Sequence, residues 1–434
     1  MPTETHGISL PASALSRIDA LLASTDTLLE RGYPGDDGTR QPIHTVYVPA
    51  DTFTPGLPLE WATLAIDAVN SWGGLERLSA LLGAQLEADA DGAHEISDRV
   101  EAKLRTEPIE DLRLDFEDGY GNRGDEIEDA DAVSAAKNVA RAVADGVAPA
   151  FIGIRFKSFE APTRARGLRT LDLFVSTLAQ SGELPAGLVL TLPKVSTTAQ
   201  VLAMDLATRE LENAHGLPAG RLRFEVQVET PQLILGADGT SPLAQLPHRV
   251  PGRISALHYG TYDYSASLEI AAKYQSMEHP VADFAKEVMQ LAVAGTGIRL
   301  SDGSTNILPV GDGIEDAWKL HARLIRRSLE RGFYQGWDLH PAQLPSRYIA
   351  TYSFYRNGFA AAAARLRRYR EGTAGDVLDE PATARALAGF VCRGVACGAI
   401  GESEIRSMVG VESAFLKTLA NPGRPGSVPT TTSA

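Results

Sequence analysis

The sequence predicts an α/β fold, a (β/α)8 TIM barrel with an N-terminal helical extension, a helical insertion after strand 1 and C-terminal helices. Short, almost continuously apolar segments alternate with longer segments of helical periodicity, which is typical of a parallel sheet covered by helices. Eight such units can be counted. Several apolar segments end in a charged residue, as strands do at the C-terminal mouth of a barrel. A doubly wound open sheet is the alternative, although no G-x-G-x-x-G follows the first strand.

The strands are predicted from apolar runs, and the helices from spacings of three and four residues. The first strand ends at Pro49, because proline cannot donate to a sheet ladder. The predicted strands are 44–50, 111–121, 151–158, 188–195, 223–229, 254–263, 306–310 and 336–341. The predicted barrel helices are 128–145, 168–180, 198–214, 232–246 and 313–331.

The remaining segments extend the barrel at both ends and once within it. About sixty residues separate the first two strands, more than one crossover helix needs, and they contain three helical patterns. The C-terminal part holds helical patterns at 345–371, 382–397 and 402–419. We therefore predict a helical extension at 1–43, a barrel at 44–345 with an insertion at about 55–108, a C-terminal helical segment at 346–420 and a disordered tail at 421–434.

Composition excludes several classes of function. The 434 residues include 44% hydrophobic and 22% charged residues and carry a formal net charge of −14. An acidic chain disfavours nucleic acid and anionic membranes as partners. Neither a membrane span nor a signal peptide is recognisable, so a cytoplasmic protein is expected. Cys392 and Cys397 are interpreted as buried packing residues rather than a disulfide or a metal pair.

Two acids stand where predicted strands end, and they are the candidate metal ligands. Glu229 precedes Thr-Pro, and Asp263 lies in Tyr-Asp-Tyr-Ser. Mg²⁺ prefers oxygen ligands and takes one or two protein carboxylates, with water and substrate completing the octahedron. Glu117 or Asp118 could hold the waters of that metal. A helix-capping role is the alternative for each acid, and zinc is disfavoured because no H-x-H or C-x-x-C is present.

Two basic residues on neighbouring strands complete the candidate site. Arg155 lies between apolar Ile154 and Phe156, where a guanidinium needs an anionic partner. A substrate carboxylate or enolate would provide one, and a structural salt bridge is the alternative. Lys194 is expected to neutralise nearby acids or to hold substrate, with a Schiff base as the less favoured role. A 2-keto or 2-hydroxy acid suits a pocket of this composition.

The motifs resemble those of the HpcH/HpaI aldolase and citrate lyase β-subunit family, in the right order over about 44–345. They are Leu-Asp-Phe-Glu-Asp-Gly (114–119), Ile-Arg-Phe (154–156), Leu-Pro-Lys-Val (192–195), Val-Glu-Thr-Pro (228–231), Tyr-Gly-Thr-Tyr-Asp-Tyr (259–264) and Leu-His-Pro-Ala-Gln-Leu (339–344). The resemblance implies a TIM-barrel lyase that depends on Mg²⁺, with Mn²⁺ as the alternative. It makes Glu229 and Asp263 the metal ligands, Arg155 the clamp for the substrate carboxylate and enolate, and Glu117 with Asp118 the acids around the metal's waters.

Four residues are assigned to substrate binding: Arg155, Lys194, Thr230 and Pro231. The resemblance adds one further candidate. Asp379-Glu-Pro is similar to a segment through which thioester-cleaving relatives supply an acid to a neighbouring subunit, which makes Asp379 a catalytic candidate in a homo-oligomer. No distinct basic loop marks a CoA site, so the substrate is left as either a free hydroxy acid or its CoA thioester.

The function expected from the sequence is carbon–carbon cleavage of a hydroxy acid, or the reverse condensation. Thioester hydrolysis on the same scaffold and a non-catalytic keto-acid binder are the alternatives. A Schiff-base aldolase is disfavoured because strand 6 carries no lysine.

Overall fold

The computed structural model describes residues 9–86, 90–372 and 380–421. Its centre is one sheet of eight parallel strands, in which the first seven are paired consecutively and the first is also paired with the last. The strands are β1 (His44–Pro49), β2 (Asp111–Asp115), β3 (Phe151–Arg155), β4 (Leu188–Leu192), β5 (Phe224–Val228), β6 (Ile254–Tyr259), β7 (Arg299–Ser301) and β8 (Gly336–Asp338). A parallel bridge between Ser301 and Gln335 closes the barrel. The predicted (β/α)8 barrel is confirmed.

Sixteen α-helices surround and extend the sheet within the described residues. They are α1 (Ala12–Gly32), α2 (Leu57–Trp72), α3 (Leu75–Leu86), α4 (Ala90–Thr106), α5 (Asp125–Ala144), α6 (Arg164–Ser181), α7 (Thr198–Ala214), α8 (Pro231–Ile234), α9 (Pro242–Arg249), α10 (Thr261–Ser267), α11 (Pro280–Val293), α12 (Ile314–Glu330), α13 (Leu344–Glu371), α14 (Pro381–Ala396), α15 (Glu402–Met408) and α16 (Ser413–Ala420). Helices α2 to α4 lie between β1 and β2, and the long α13 packs against α3 and α4 as well as α12 and α14.

Three sequence predictions about elements were wrong. The seventh strand is Arg299–Ser301, not 306–310. It has only three residues and contains an arginine and a serine, so no apolar run marks it, and its pairing with β6 defines it. The helical patterns at 232–246 and 402–419 each form two helices, α8 with α9 and α15 with α16. The tail at 422–434 lies outside the described residues.

The barrel interior contains a buried ionic layer. The Arg113 side chain lies 2.8 Å from Asp111 and 3.1 Å from Glu225. Thr191 donates to the same Glu225 oxygen, and His258 lies 2.9 Å from the other oxygen. All these side chains are almost fully buried, and pairing with partners is what makes charge tolerable there. This layer separates the C-terminal mouth of the barrel from its N-terminal end.

One glycine shows how tightly the strands approach. A Cβ on Gly153, in the middle of β3, would lie 1.6 Å from the carbonyl oxygen of Val189 on β4. No rotamer relieves a backbone contact of that kind, so only glycine fits this position.

Helix α1 has a different environment from the barrel helices. Its leucines recur on one face as predicted, but none of its residues is buried, and Leu21 is 78% exposed. Among the described helices, none is both long and apolar enough to cross a membrane.

Candidate active site

The C-terminal mouth of the barrel collects the candidate residues. Asp115 and Arg155 are the last residues of β2 and β3 and lie opposite each other in register. Glu229 follows β5 directly, and Lys194 lies two residues after β4. Because all eight strands run in parallel, these positions share one end of the sheet.

Arg155 is buried and held in a fixed orientation. Its Nε and one terminal nitrogen donate to the two oxygens of Asp115, each at 2.7 Å. The other terminal nitrogen, Nη1, lies 3.4 Å from Glu117 Oε2, and the Tyr47 ring centroid is 4.8 Å from the guanidinium carbon. Burial opposes the charge, but Asp115 and Glu117 outweigh it and raise the pKa of Arg155 well above its ordinary value. Arg155 therefore forms a structural salt bridge with Asp115, and its Nη1 atom is still directed towards Glu117 and the other acids of the mouth.

Asp115 and Tyr47 are site residues that the sequence assignment missed. Asp115 was grouped with the acids of strand 2 but given no role, although the alternation of Asp111, Arg113 and Asp115 marks one inward face. Tyr47 lies on β1, where the same period of two places every second residue on the inward face. The signal that could have found both is the period of two within an interior strand.

Lys194 connects three of the candidate acids. Its ammonium group donates to Glu117, lies 2.9 and 3.0 Å from the two oxygens of Asp118, and is 4.0 Å from Asp263. Burial lowers the pKa of Lys194, but the acids outweigh burial and raise it above the ordinary value. Its backbone adopts a left-handed φ of 51°, which is uncommon for a residue with a side chain. The backbone amide of Lys194 donates to Glu229 Oε1 at 2.6 Å. This turn therefore positions both the Lys194 ammonium group and the Glu229 carboxyl group.

Glu229 is a buried acid without a cationic side chain at bonding distance in the described part of the chain. It is 2% exposed, and the Lys194 amide is the donor that it has. Burial, with the charges of Glu117 and Asp263 nearby, raises the pKa of Glu229 to about 8. A Cβ on Gly260 would lie 2.6 Å from Glu229 Oε2, so the start of α10 passes directly over this carboxyl group.

Glu117 and Asp118 differ in burial and in protonation. Glu117 is 8% exposed; burial raises its pKa, Asp118 adds to that effect, and the result is about 7 despite Arg155 and Lys194. The side chain of Asp118 is 58% exposed. Burial opposes its charge, but the hydrogen bonds and charge of Lys194 lower its pKa below the ordinary value. One acid is thus poised to carry a proton near neutral pH, and its neighbour stays ionised.

Asp263 occupies a different element from the one predicted. β6 ends at Tyr259, and Asp263 lies in the first turn of α10. Its side chain is 44% exposed and faces the Lys194 ammonium group at the rim of the mouth. Burial raises its pKa, although Lys194 acts in the opposite direction. Glu229 is thus a buried acid directly after a strand, whereas Asp263 is a more exposed acid on a helix at the rim of the mouth.

Thr230 and Pro231 follow Glu229 directly in the chain. The Thr230 hydroxyl donates to the Val195 carbonyl at 2.6 Å, which ties the ends of β4 and β5 together, and Pro231 begins α8. Asp379 lies outside the described residues.

The oxygen donors at this mouth fit a divalent cation. Glu229 is buried and lacks a counter-charge, and its pKa is raised partly by other acids, which a bound cation would offset. Within the described residues, no group of three or more His, Cys, Asp or Glu side chains is arranged to hold a metal ion. Mg²⁺ does not require one, because it commonly takes one or two carboxylates and keeps several waters.

These features define a (β/α)8 barrel protein with an acid-rich mouth organised around one buried arginine. The chain belongs to the family described as a domain of unknown function, DUF6986, whose model matches residues 22–423. No curated protein sequence matches it.

Solved structures share the barrel at low sequence identity. A citrate lyase from Burkholderia xenovorans LB400 has a TM-score of 0.56 and 17% identity, over 86% of this chain and 97% of that one. A malate synthase from Haloferax volcanii has a TM-score of 0.48 and 14% identity, over 89% and 93% of the two chains. CitE from Mycobacterium tuberculosis, in complex with magnesium, acetoacetate and coenzyme A, has a TM-score of 0.45 and 18% identity, over 83% and 99%. The fold that the motif resemblance implied is confirmed.

Proposed function

We propose that this protein is a Mg²⁺-dependent carbon–carbon lyase that cleaves a hydroxy acid, or forms one by condensation, through an enolate. The observation that carries the proposal is the buried Arg155, fixed by Asp115 with Nη1 left facing the acids of the mouth. The Burkholderia protein with the same fold is a citrate lyase, which agrees with this class of reaction.

Arg155 would bind and stabilise the developing negative charge. Asp115 holds two of its nitrogens, so the guanidinium is oriented before substrate arrives and loses little freedom on binding. A fixed donor directed at a position where charge develops lowers the barrier more than one that must reorganise. Nη1 would donate to the carboxylate or enolate oxygen of the substrate, with Lys194 and the turn at Thr230 and Pro231 shaping the same pocket.

Glu117 would move the proton. In cleavage, the substrate hydroxyl loses a proton, the carbon–carbon bond breaks, and its electron pair forms the enolate, which is then protonated on carbon. A group with a pKa of about 7 is matched to both transfers at neutral pH. Lys194 holds Glu117 Oε1, so the exchangeable proton would be carried on Oε2.

Glu229 and Asp263 would hold Mg²⁺, or Mn²⁺ in its place. The bound cation would supply a Lewis acid that draws electron density from the substrate oxygens. The charge of Asp118, at the exposed rim beside Lys194, would help to hold the waters around that cation. A CoA thioester remains one form of the substrate, and Asp379 remains a candidate acid from a second subunit of a homo-oligomer. The cytoplasmic location stays a prediction.

Proton exchange tests the enolate step without knowledge of the full substrate. With Mg²⁺ in deuterium oxide, the protein should catalyse loss of the methyl proton signal of pyruvate, because reversible enolate formation replaces those protons. A chelator should stop the exchange, and Mg²⁺ should restore it. Glu229→Gln should reduce the rate by about 10²-fold or more.

The matched control is Glu126→Gln, which removes an exposed carboxylate in the first turn of α5 at the same end of the barrel. It should exchange at the wild-type rate. The proposal fails if exchange by the wild-type protein survives chelation, or if both variants behave alike. The thioester hydrolase alternative instead predicts free thiol from a thioester whose carbon skeleton is unchanged.

A further inference from the structure

A second polar cavity lies at the N-terminal end of the barrel, on the far side of the buried ionic layer from the candidate active site. Its volume is about 260 Å³, and it lies beneath the start of several strands. The inward-facing residues that line it include Asp111, Phe151, Val189, Glu225, Ala256 and Arg299. The chain segment 37–42 crosses its opening through Asp37, Thr39 and Pro42.

Three arginines line this cavity, and two of them make no ion pair within the described part of the chain. Arg299 fastens the crossing segment, donating to the carbonyls of Arg40 at 2.6 Å and Thr39 at 2.7 Å. Arg221 donates to the carbonyls of Leu184 and Pro185. Among the described residues, the Arg223 side chain makes one hydrogen bond, a long one of 3.4 Å to the Ile254 carbonyl. Arg223 is therefore the least engaged of the three.

Three residues that line the cavity also carry a buried polar atom without a hydrogen-bond partner among the described residues. The atoms are Arg223 Nε and Ser255 Oγ, which are donors, and Asp111 Oδ1, which is an acceptor. Buried polar groups are nearly always hydrogen-bonded in proteins. A polar occupant therefore suits this cavity better than an apolar one.

The balance of charge favours an anion among polar occupants. Each acid at the cavity already faces a cation: Asp111 and Glu225 each pair with Arg113 through one oxygen, and Asp37 lies 3.5 Å from Arg299 and accepts from Thr39. Burial lowers the pKa of Arg221 and of Arg299. The charges of Asp37 and Asp36 oppose this effect on the pKa of Arg299, and the charge of Arg223 adds to it. An anion between these guanidinium groups would offset that repulsion.

We propose that this cavity is a second ligand site, which binds a small oxyanion, a phosphate or carboxylate group on a small metabolite, through Arg223 with Arg221 and Arg299. Its volume suits a ligand smaller than the drug-sized molecules that fill about 300–1,000 Å³. A neighbouring cavity of about 860 Å³ shares Asp37 and Arg223 with it. The site is independent of the metal and the acids at the opposite mouth.

The test is a titration of the full-length, metal-free protein with inorganic phosphate and, separately, malonate, each against sodium chloride of equal ionic strength. Calorimetry and thermal unfolding should show saturable binding and a higher melting temperature for at least one of them. Whichever of phosphate and malonate binds more tightly shows whether the site prefers a phosphate or a carboxylate group. Arg223→Met should weaken that binding about tenfold or more, because it removes a charged hydrogen-bond donor from the anion.

Arg249→Met is the matched control, since Arg249 is an exposed arginine at the end of α9. It should bind as the wild type does. Arg223→Lys keeps the charge and loses the fork, so it should bind more weakly than the wild type, and it decides the matter if Arg223→Met does not fold. The proposal is overturned if neither anion exceeds the chloride response, or if the Arg223 and Arg249 variants bind equally.

Discussion

At the scale of single residues, Arg155 has two functions that can be separated. The charge of Arg155 stabilises Asp115, because Asp115 is 2% exposed and a buried carboxylate requires a partner. The proposed chemistry depends on the shape of Arg155, because only a planar guanidinium group donates two nitrogens to Asp115 and leaves a third for substrate. Stability and activity should therefore respond differently to substitutions at this position.

Arg155→Lys should retain most of the fold and lose activity. An ammonium group can pair with Asp115 but cannot also reach the substrate, so pyruvate exchange should fall by about 10²–10³-fold. Arg155→Met should instead destabilise the protein by about 3–5 kcal/mol in urea denaturation, since Asp115 is left unpaired. Adding Asp115→Asn should recover most of that loss. Arg123→Lys, at the rim beside Asp51, is the control and should remain active. Full activity of Arg155→Lys would refute the role of the fork.

The raised pKa of Glu229 predicts how stability of the metal-free protein depends on pH. The folded value of about 8 exceeds the ordinary value of 4.5, so between them the folded state binds more protons than the unfolded state. This contribution is fully present below about pH 4.5 and is lost as pH rises towards 8. Compared with Glu229→Gln, the wild type should lose up to about 1.4 kcal/mol more per pH unit in that window. Saturating Mg²⁺ should reduce the difference in stability between the two proteins. If the stability of both proteins changes with pH in the same way, the pKa of Glu229 is not raised.

At the scale of elements, the junction of β6 and α10 determines where the two proposed metal ligands meet. Gly260 links the strand to the helix, with Glu229 beneath it and Asp263 three residues later. The sequence located both acids at the mouth, but the strand does not extend to Asp263. Gly260, just before the short helix, lies against Glu229, a tertiary contact that no local pattern contains.

Gly260→Ala should damage the site more than the fold. The added Cβ would lie 2.5 Å from Glu229 Cβ and 2.6 Å from Oε2, so the carboxyl group or the start of α10 must move. Exchange should drop by about 10²-fold, while overpacking costs about 1–3 kcal/mol of stability. Gly313→Ala is the control, because no atom lies within 4 Å of its added Cβ. Normal exchange by Gly260→Ala would show that Glu229 need not be held in place.

The limits of prediction from sequence are clearest for β7 and for Asp115. Strands such as β3 and β4 could be found because burial on both faces leaves almost only apolar residues in them. β7 could not, since three residues held by pairing leave almost none. The motif Asp-Phe-Glu-Asp could be assigned to the mouth, but which acid faces Arg155 depends on the register of β2 with β3.

At the scale of the whole molecule, barrel closure depends on a buried cluster around Asp338. Its carboxylate lies 2.8 Å from His44 on β1, 3.1 Å from His321 on α12 and 2.8 Å from Arg347 on α13. Burial opposes its charge, but Arg347 and the histidines outweigh burial and hold the pKa of Asp338 well below its ordinary value. The first and last strands are thereby joined to both helices that cover them.

Asp338→Asn should destabilise the protein strongly, by about 3–5 kcal/mol, because buried Arg347 loses its acid. The contribution of Asp338 is present above the ordinary pKa of 3.8 and is lost as pH falls through the lower folded value. Urea denaturation at neutral pH should show the loss, and the wild type should weaken more steeply than the variant in acid. Asp316→Asn, at an exposed position in the first turn of α12, should match the wild type. If Asp338→Asn is as stable as the wild type, the cluster around Asp338 does not stabilise the closed barrel.

The central claim is that one mouth of this barrel binds a divalent cation and a keto or hydroxy acid together. A crystal soaked with Mn²⁺ and pyruvate, oxaloacetate or glyoxylate tests it most directly, because the anomalous signal of manganese locates the cation without ambiguity. The predicted result is a cation bound by Glu229 and Asp263, with the carboxylate of the acid at Nη1 of Arg155. A cation bound elsewhere, or an acid that leaves Arg155 without contact, would contradict the proposed function.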